Sequence, residues 1–207
     1  MILIKLLLFA NIIYSSIKNR CMSYYTKQVM KLKNVDFNTQ KCTINGLITL
    51  DIHKNSKVKI GDYFVANSGL NSGIYYGSNC KITVNENAEL SIGEHSGMTN
   101  TSIQCHKKII IGKHVNIGAG CLIMDSNFHS TNWKDRLNRK ADTANKKNAP
   151  IKIGDVVFIG ANSIICKGVT IGNHSIIAAG SVVVCSIPEN EVWGGNPAKF
   201  LKAIQSE

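Results

Sequence analysis

Aromatic residues are scarce in this chain of 207 residues, at 7%, so any core must be filled by aliphatic side chains. Cysteine pairing signals are missing as well. The seven cysteines, Cys21, Cys42, Cys80, Cys105, Cys121, Cys166 and Cys185, are odd in number and widely spread, and no two form a Cys-x-x-Cys pair. That spacing argues against a zinc ribbon or a disulfide framework and leads us to expect reduced, mostly buried thiols in a cytoplasmic protein. Acidic residues are few, 13 against 24 Lys and Arg, for a formal net charge of +11. An excess of base invites a nucleic-acid reading. Here the basic residues are scattered, with no aromatics between them to form a stacking platform, so no nucleic-acid partner is expected. No Gly-x-Ser-x-Gly elbow is present, which removes one route to a nucleophilic serine. The apolar stretch from Met1 to Ile13 is broken by Lys5 and Asn11, and it is shorter than the roughly 20 residues a membrane-crossing helix needs. It also lacks the basic start and small-x-small cleavage site of a signal peptide.

What the chain has instead is a period of six. Ile153, Ile159, Ile165, Ile171, Ile177 and Val183 recur at that spacing, and most are followed by a small residue: Gly154, Gly160, Gly172 and Ala178, with Cys166 the larger exception. Neither an α-helix nor an ordinary strand has this period. It describes one short strand and one turn per six residues, a unit that buries its apolar side chain only by stacking on neighbours. The same phase marks Ile111-Gly112, Ile117-Gly118 and Ile123, with a second register at Ile92-Gly93 and Ile60-Gly61. A polar excursion at 125–150 interrupts the repeat. The fold class expected is therefore mainly β: a parallel β-helix solenoid with an excursion loop and short N- and C-terminal helices.

Three parts follow from this layout. Residues 1–40 read as a helical cap and linker, because Leu3, Leu6, Leu7, Ala10, Ile13 and Ile17 fall at helical spacing and an uncovered solenoid end exposes strand edges. A peripheral membrane contact is the alternative use of that helix. The stretch from Cys21 to Phe37 reads as linker or a second short helix. Residues 41–187 form the solenoid, degenerate at first, with Gly69, Gly73 and Gly77 in a loop of close backbone approach and Pro188 ending the ladder. Residues 188–207 are a tail, with Ala198 to Ile204 as a short basic helix.

The repeat resembles the hexapeptide of the left-handed parallel β-helix acyltransferases. Three further segments carry the likeness. Asp125-Ser126-Asn127-Phe128-His129 is similar to that family's catalytic-histidine segment. The run from Ile159-Gly160-Ala161 to Ala178-Ala179-Gly180-Ser181-Val182-Val183 resembles its coenzyme A strip. Gly195-Asn196-Pro197-Ala198-Lys199 resembles its Gly-x-Pro-Ala-Lys/Arg ending. The branch it resembles is the sugar and polysaccharide O-acetyltransferases of the maltose, galactoside and colanic-acid group. The resemblance implies a left-handed solenoid, a homotrimer with coenzyme A between neighbouring solenoids, and acetyl-CoA as acyl donor.

Acyl transfer to a hydroxyl needs a base near neutral pH, and an imidazole suits that task. His129 is the candidate base, in a ternary complex rather than through an acyl-enzyme. Asp125 and Asn127 are candidates to orient it, though both residue types are also common in turns. Ala161 and Ala179 lie 18 residues apart, one coil if three hexapeptides make a turn of the solenoid. By resemblance they offer backbone groups to pantetheine, with the Ala161 amide as oxyanion donor. Lys199 and Lys202 match the family's basic pair for the coenzyme phosphates. Val184-Cys185 departs from the Thr-Lys often found there, which removes one expected phosphate contact, and Phe158 stands where Trp is common. Asn100, Trp133, Arg136 and Arg139 are candidates for an acceptor pocket. His95, His114 and His174 sit at coil corners and read as structural, His53 and His106 have no readable context, and the histidine spacing supplies no zinc site. Acceptors other than a sugar hydroxyl, such as an antibiotic, serine or an amino-sugar amine, stay open. So does a non-catalytic scaffold or membrane-surface module.

Overall fold

The computed structural model describes residues 2–69 and 79–205, with residues 2–12 described as helical backbone only. Strands follow one another on three faces in strict rotation. The first face stacks Thr43–Asn45, Val65–Asn67, Gly97–Thr99, Asn116–Ile117, Phe158–Ile159, Ile176–Ile177 and Glu191–Gly195. The second stacks Thr49–Ile52, Lys81–Val84, Ser102–Cys105, Leu122–Met124, Ile164–Ile165 and Val182–Val183. The third stacks Lys57–Ile60, Glu89–Ile92, Lys108–Ile111, Ile151–Ile153 and Thr170–Ile171. Pairing along each face is parallel, and Ile159 aligns with Ile177 as Ile165 aligns with Val183. One coil is therefore 18 residues, as expected. The two sequence registers merge in space: Ile60, Ile92, Ile111, Ile153 and Ile171 form one ladder on the third face.

The period has a simple physical origin. The phase residue of each hexapeptide from Ile153 to Val183 is buried, and so is the residue two before it, which is Ile151, Val157, Ser163, Val169, Ser175 or Ser181. Alternation along a short strand sends both inward. The buried hydroxyls are satisfied inside the turns: Ser163 Oγ donates to the Gly160 carbonyl at 2.8 Å, and Ser175 Oγ to the Pro188 carbonyl at 2.7 Å. The small residue after the phase point is required by the next coil. A Cβ on Gly160 would lie 2.4 Å from the Ala179 nitrogen, and one on Gly154 2.8 Å from the Asn173 nitrogen.

Four expectations change at the ends of the chain. The N-terminal helix α1 runs Ile2–Leu32, so Cys21 to Leu32 continues it and is neither a linker nor a separate helix. Among the described side chains, the helix meets the first coil through its C-terminal part. Thr26 and Met30 are buried against the first coil, and Thr26 Oγ1 links the Gly46 carbonyl and the Ile48 amide, while Ile13, Tyr14 and Ile17 are exposed. The spacing argument for Leu3, Leu6, Leu7 and Ala10 concerns side chains outside the described residues, as do Gly73 and Gly77. Pro188 does not end the ladder, because Ile187 bridges Ile171 and Glu191–Gly195 adds another rung to the first face. Finally, Ala198–Ala203 is a strand, not a helix. It folds back antiparallel on Glu191–Gly195, with Trp193 and Phe200 in edge contact at 6.5 Å between centroids. The excursion contains a short helix of its own, α2, at Arg139–Asn145, capped by the Asn138 side chain.

Candidate functional site

Two places on this solenoid depart from self-contained packing. One is the corner between the first and second faces. At the corner between the third and first faces, two backbone amides are closed by side chains from the coil above. Lys113 N donates to Asp155 Oδ1 at 2.8 Å, and Asp155 N donates to Asn173 Oδ1 at 2.9 Å. At the first-to-second corner the equivalent stack is Ala119, Ala161 and Ala179, which has no side-chain oxygen to offer. Gly180 N donates to the Ala161 carbonyl at 2.8 Å, but no acceptor reaches the Ala161 amide among the described residues. Ala161 is partly exposed and Ala179 fully so. A row of small side chains with open N–H groups can receive an extended ligand that carries amide carbonyls. It can also stabilise an oxyanion placed against it.

The other place is the excursion, which leaves from the second-to-third corner after Met124. His129 lies there with its side chain 69% exposed. Its Nδ1 is 2.6 Å from Asp142 Oδ2. The Asp142 carboxylate is held below its ordinary range by hydrogen bonds from His129 and from the Ser130 amide. An ionised carboxylate only accepts, so Nδ1 carries the proton and Nε2 keeps its lone pair facing outward. That is the tautomer a general base needs. Asp142 is presented by α2, and its second oxygen accepts from Ser130 N at 2.7 Å, which fixes the carboxylate. Ser130 is buried, and its Oγ donates to Asp135 Oδ2 at 2.7 Å.

The residues expected to orient His129 do other work. Asp125 is fully buried, and its carboxylate accepts from the amides of His106, Lys107 and Lys108 at 2.6, 2.8 and 2.7 Å. It locks the previous coil's corner and does not touch the imidazole. Asn127 pairs by its backbone amide with the Lys147 carbonyl, tying the two limbs of the excursion together. Asp142 was missed because it lies 13 residues from His129 in a segment without a period.

The acceptor candidates divide in the same way. Asn100 is buried, and its Oδ1 accepts from Gly69 N at 2.8 Å, which ties two coil corners together. Arg136 spends a guanidinium N–H on the Ser130 carbonyl at 2.8 Å, so it braces the loop that carries His129. Trp133 remains exposed beside His129's loop, with Lys134 Nζ 5.8 Å from its ring centroid. Arg139 opens α2 and is exposed. Lys199 and Lys202 are both exposed on the terminal strand. They pair with Gly194 and Val192, two residues apart, so the irregularity near Leu201 leaves both lysines on one face of the hairpin. Among the described residues no group of three or more His, Cys, Asp or Glu side chains is placed to hold a metal ion.

Together these features define a parallel β-helix of hexapeptide class, with an imidazole–carboxylate pair on its excursion. Residues 150–185 match the family described as Bacterial transferase hexapeptide (six repeats), and residues 108–124 match the Hexapeptide repeat of succinyl-transferase. A Saccharomyces cerevisiae protein named as an acetyltransferase is 54% identical over 55 residues, 27% of this chain and 28% of its own. The 2,3,4,5-tetrahydropyridine-2,6-dicarboxylate N-acetyltransferase of Clostridium perfringens is 48% identical over 58 residues, 28% of this chain and 25% of its own. An Escherichia coli protein named for O-acetyl transfer in lipopolysaccharide biosynthesis is 34% identical over 104 residues, 49% of this chain and 53% of its own. The aligned segments thus span between a quarter and about half of these relatives.

Among solved structures, a hexapeptide-repeat acetyltransferase of Vibrio cholerae superposes with a TM-score of 0.57 over 90% of this chain and 93% of its own, at 22% identity. An N-acyltransferase of Bacillus cereus, in complex with dTDP and 3-hydroxybutyryl-CoA, reaches 0.65 over 86% of this chain and 88% of its own, at 16% identity. At such identities the likeness concerns the fold alone. By its repeats the chain is similar to the hexapeptide-repeat transferases over residues 108–124 and 150–185, and its fold is similar to that of hexapeptide-repeat acetyltransferases.

Proposed function

We propose that this protein transfers an acetyl group from acetyl-CoA to an acceptor hydroxyl on a sugar or polysaccharide precursor. The observation that carries the reading is His129, an outward-facing imidazole whose Nδ1 is held by the Asp142 carboxylate. In this reading His129 Nε2 takes the hydroxyl proton as the oxygen attacks the thioester carbonyl. The Ala161 amide receives the oxyanion, the carbonyl re-forms, and the thiolate of coenzyme A leaves and takes up a proton. Lys199 and Lys202 meet the coenzyme phosphates. An amine acceptor is the second reading, supported by the N-acetyltransferase among the relatives.

The same reading makes the protein a homotrimer. His129 and the open amide row lie at different corners of the solenoid, so joining them requires a second copy. The outer faces agree with this. The third face is studded with Lys57, Lys59, Lys108 and Lys152, whereas Phe158 and Ile176 on the first face and Leu122, Met124, Ile164 and Val182 on the second are apolar. Free cysteines support a cytoplasmic location. Exposed Ile13, Tyr14 and Ile17 support peripheral contact of α1 with a lipid surface.

Calorimetric titration with acetyl-CoA tests the donor, and release of free coenzyme A across a panel of sugar hydroxyls and amino sugars tests the acceptor. His129→Ala is expected to lower turnover by about 10²–10⁴ with coenzyme affinity retained. A folded protein that does not bind acetyl-CoA, or an active His129→Ala variant, defeats the proposal.

A further inference from the structure

A cleft of about 660 Å³ lies where the second-to-third corners of three successive coils meet the returning limb of the excursion. Its walls include His53 and Lys54 from one corner, Asn85 and Glu86 from the next, His106 from the third, Lys33 from just beyond α1, and Lys146 and Asn148 from the excursion. That volume suits a saccharide-sized ligand.

We propose that this cleft is a subsite for a saccharide carrying an anionic group, a carboxylate or a phosphate. Three observations support it. First, Lys33, Lys54 and Lys146 converge on the cleft. Among the described residues none of them has a carboxylate within salt-bridge distance. Lys33 Nζ reaches only the Ile52 carbonyl at 3.4 Å, and Lys146 Nζ lies 3.4 Å from His106 Nδ1. Against these three lysines the walls also carry Asp51 and Glu86, so the cleft keeps a formal excess of one positive charge, three minus two. Second, Asn148 Oδ1 is buried without a hydrogen-bond partner, as is Thr83 Oγ1 one residue from Val84 of the cleft wall. An acceptor left without a donor at the cleft wall calls for one, and a turn of the Asn148 side chain into the cleft would let a sugar hydroxyl supply it. Cations for an anion and an acceptor for a hydroxyl together describe an acidic sugar or a sugar phosphate better than a neutral sugar or a free anion. Third, the cleft backs onto the catalytic loop. The His106 ring meets Phe128 edge-on at 5.0 Å between centroids, and His129 follows directly. The link to catalysis rests on the acetyl-transfer reading, and the binding itself does not.

The test uses the full-length protein without coenzyme. D-glucuronate, glucose 6-phosphate and neutral glucose are titrated while the His106 ring resonances are followed by NMR. Saturable shifts with glucuronate, with glucose 6-phosphate or with both, and none with glucose, support the subsite. Which of the two probes binds tells carboxylate from phosphate. In Lys54→Ala/Lys146→Ala the affinity falls about tenfold or more, the loss expected for charge-assisted contacts. In Asn148→Leu, which keeps the branched shape and the number of side-chain heavy atoms but removes the acceptor, it falls by up to about tenfold. If neither anionic probe shifts His106, or if the double variant binds as the native protein does, the subsite is refuted. Because acetyl-CoA is absent, failure of the donor titration and failure of this one are separate results.

Discussion

The open amide of Ala161 can be closed by one substitution, and the structure says which. At the third-to-first corner the amides of Lys113 and Asp155 are capped by the Asp or Asn one coil above, at 2.8 and 2.9 Å. The residue in that relation to Ala161 is Ala179. Ala179→Asn therefore places an oxygen where Asn173 places one for Asp155, without adding charge near the coenzyme. The new hydrogen bond is worth about 1 kcal/mol net. In a chain of this size that corresponds to a rise of about 2–4 °C in Tm. If the Ala161 amide stabilises the oxyanion, its loss costs about 10²–10³ in kcat. The assay is thermal denaturation beside acetyl-CoA turnover. Ala179→Val is the control, since it narrows the groove without an acceptor, raising KM for acetyl-CoA while leaving Tm near the native value. A variant that gains stability and keeps its kcat would refute the reasoning, because the amide would then be closed and not missed.

Asp142→Asn keeps the hydrogen bond from Ser130 N but turns the group facing His129 Nδ1 into a donor, which favours the tautomer with its proton on Nε2. Turnover is expected to fall by about 10²–10³, less than for a fully buried pair because His129 is open to solvent, while acetyl-CoA affinity stays within error. The Asp142 carboxyl is held low by His129 and Ser130, so the stability it contributes is complete above the unfolded range, near pH 4, and is lost as pH falls through its folded value. Asp142→Asn should accordingly flatten the acid limb of a Tm-against-pH curve. Changing Lys199 and Lys202 together to Ala should weaken acetyl-CoA binding by about tenfold, more at low salt than at high, with saturated kcat little changed; equal affinity by calorimetry at both salt levels would remove them from the phosphate site. Gly160→Ala should destabilise the protein by at least about 1–3 kcal/mol in denaturant unfolding, because its Cβ would meet the Ala179 backbone nitrogen at 2.4 Å.

How legible these features were in the sequence depends on whether a period reports them. The ladder was legible because every inward residue recurs at six, and because the small residue after it answers a contact with the next coil, as at Gly154 and Gly160. The limits of the excursion were legible because the period stops at Met124 and resumes at Ile151. Inside the excursion no period exists, so sequence nearness stood in for spatial nearness. It put Asp125 beside His129, although Asp125 turns inward to three amides of the preceding coil and Asp142 arrives from α2. The terminal segment failed for a different reason. Lys199 and Lys202 at a spacing of three fit a helix, but the rung Glu191–Gly195 has a free edge after Ile176–Ile177, and the chain covers it with its own last residues. On α1, helical spacing identified the element but not which end meets the solenoid. The buried contacts are Thr26 and Met30, four apart, among apolar residues such as Tyr24, Tyr25 and Leu32 that stay exposed, so no apolar stripe marks the buried face.

A six-residue repeat satisfies its own backbone almost everywhere, and the exceptions mark where chemistry can occur. Parallel pairing occupies the strand amides, and most corner amides are bonded to a neighbouring coil or to a serine, aspartate or asparagine side chain. Among the described residues three departures bear on the proposed function. The Ala119–Ala161–Ala179 corner has no side chain able to close it. The excursion replaces a corner with a loop that must supply its own carboxylate to hold His129. The return of that loop leaves Asn148 Oδ1 buried without a partner over a cleft of lysines. In the proposed reading Ala161, although similar in place to Asp155, acts for the opposite reason: the coil above offers its amide no side-chain oxygen. A repeat scaffold of this kind can acquire a binding row by losing one side-chain oxygen from a stack, without change to the ladder beneath. For that reason the identity of residue 179, rather than that of any buried isoleucine, decides whether the corner is structure or site.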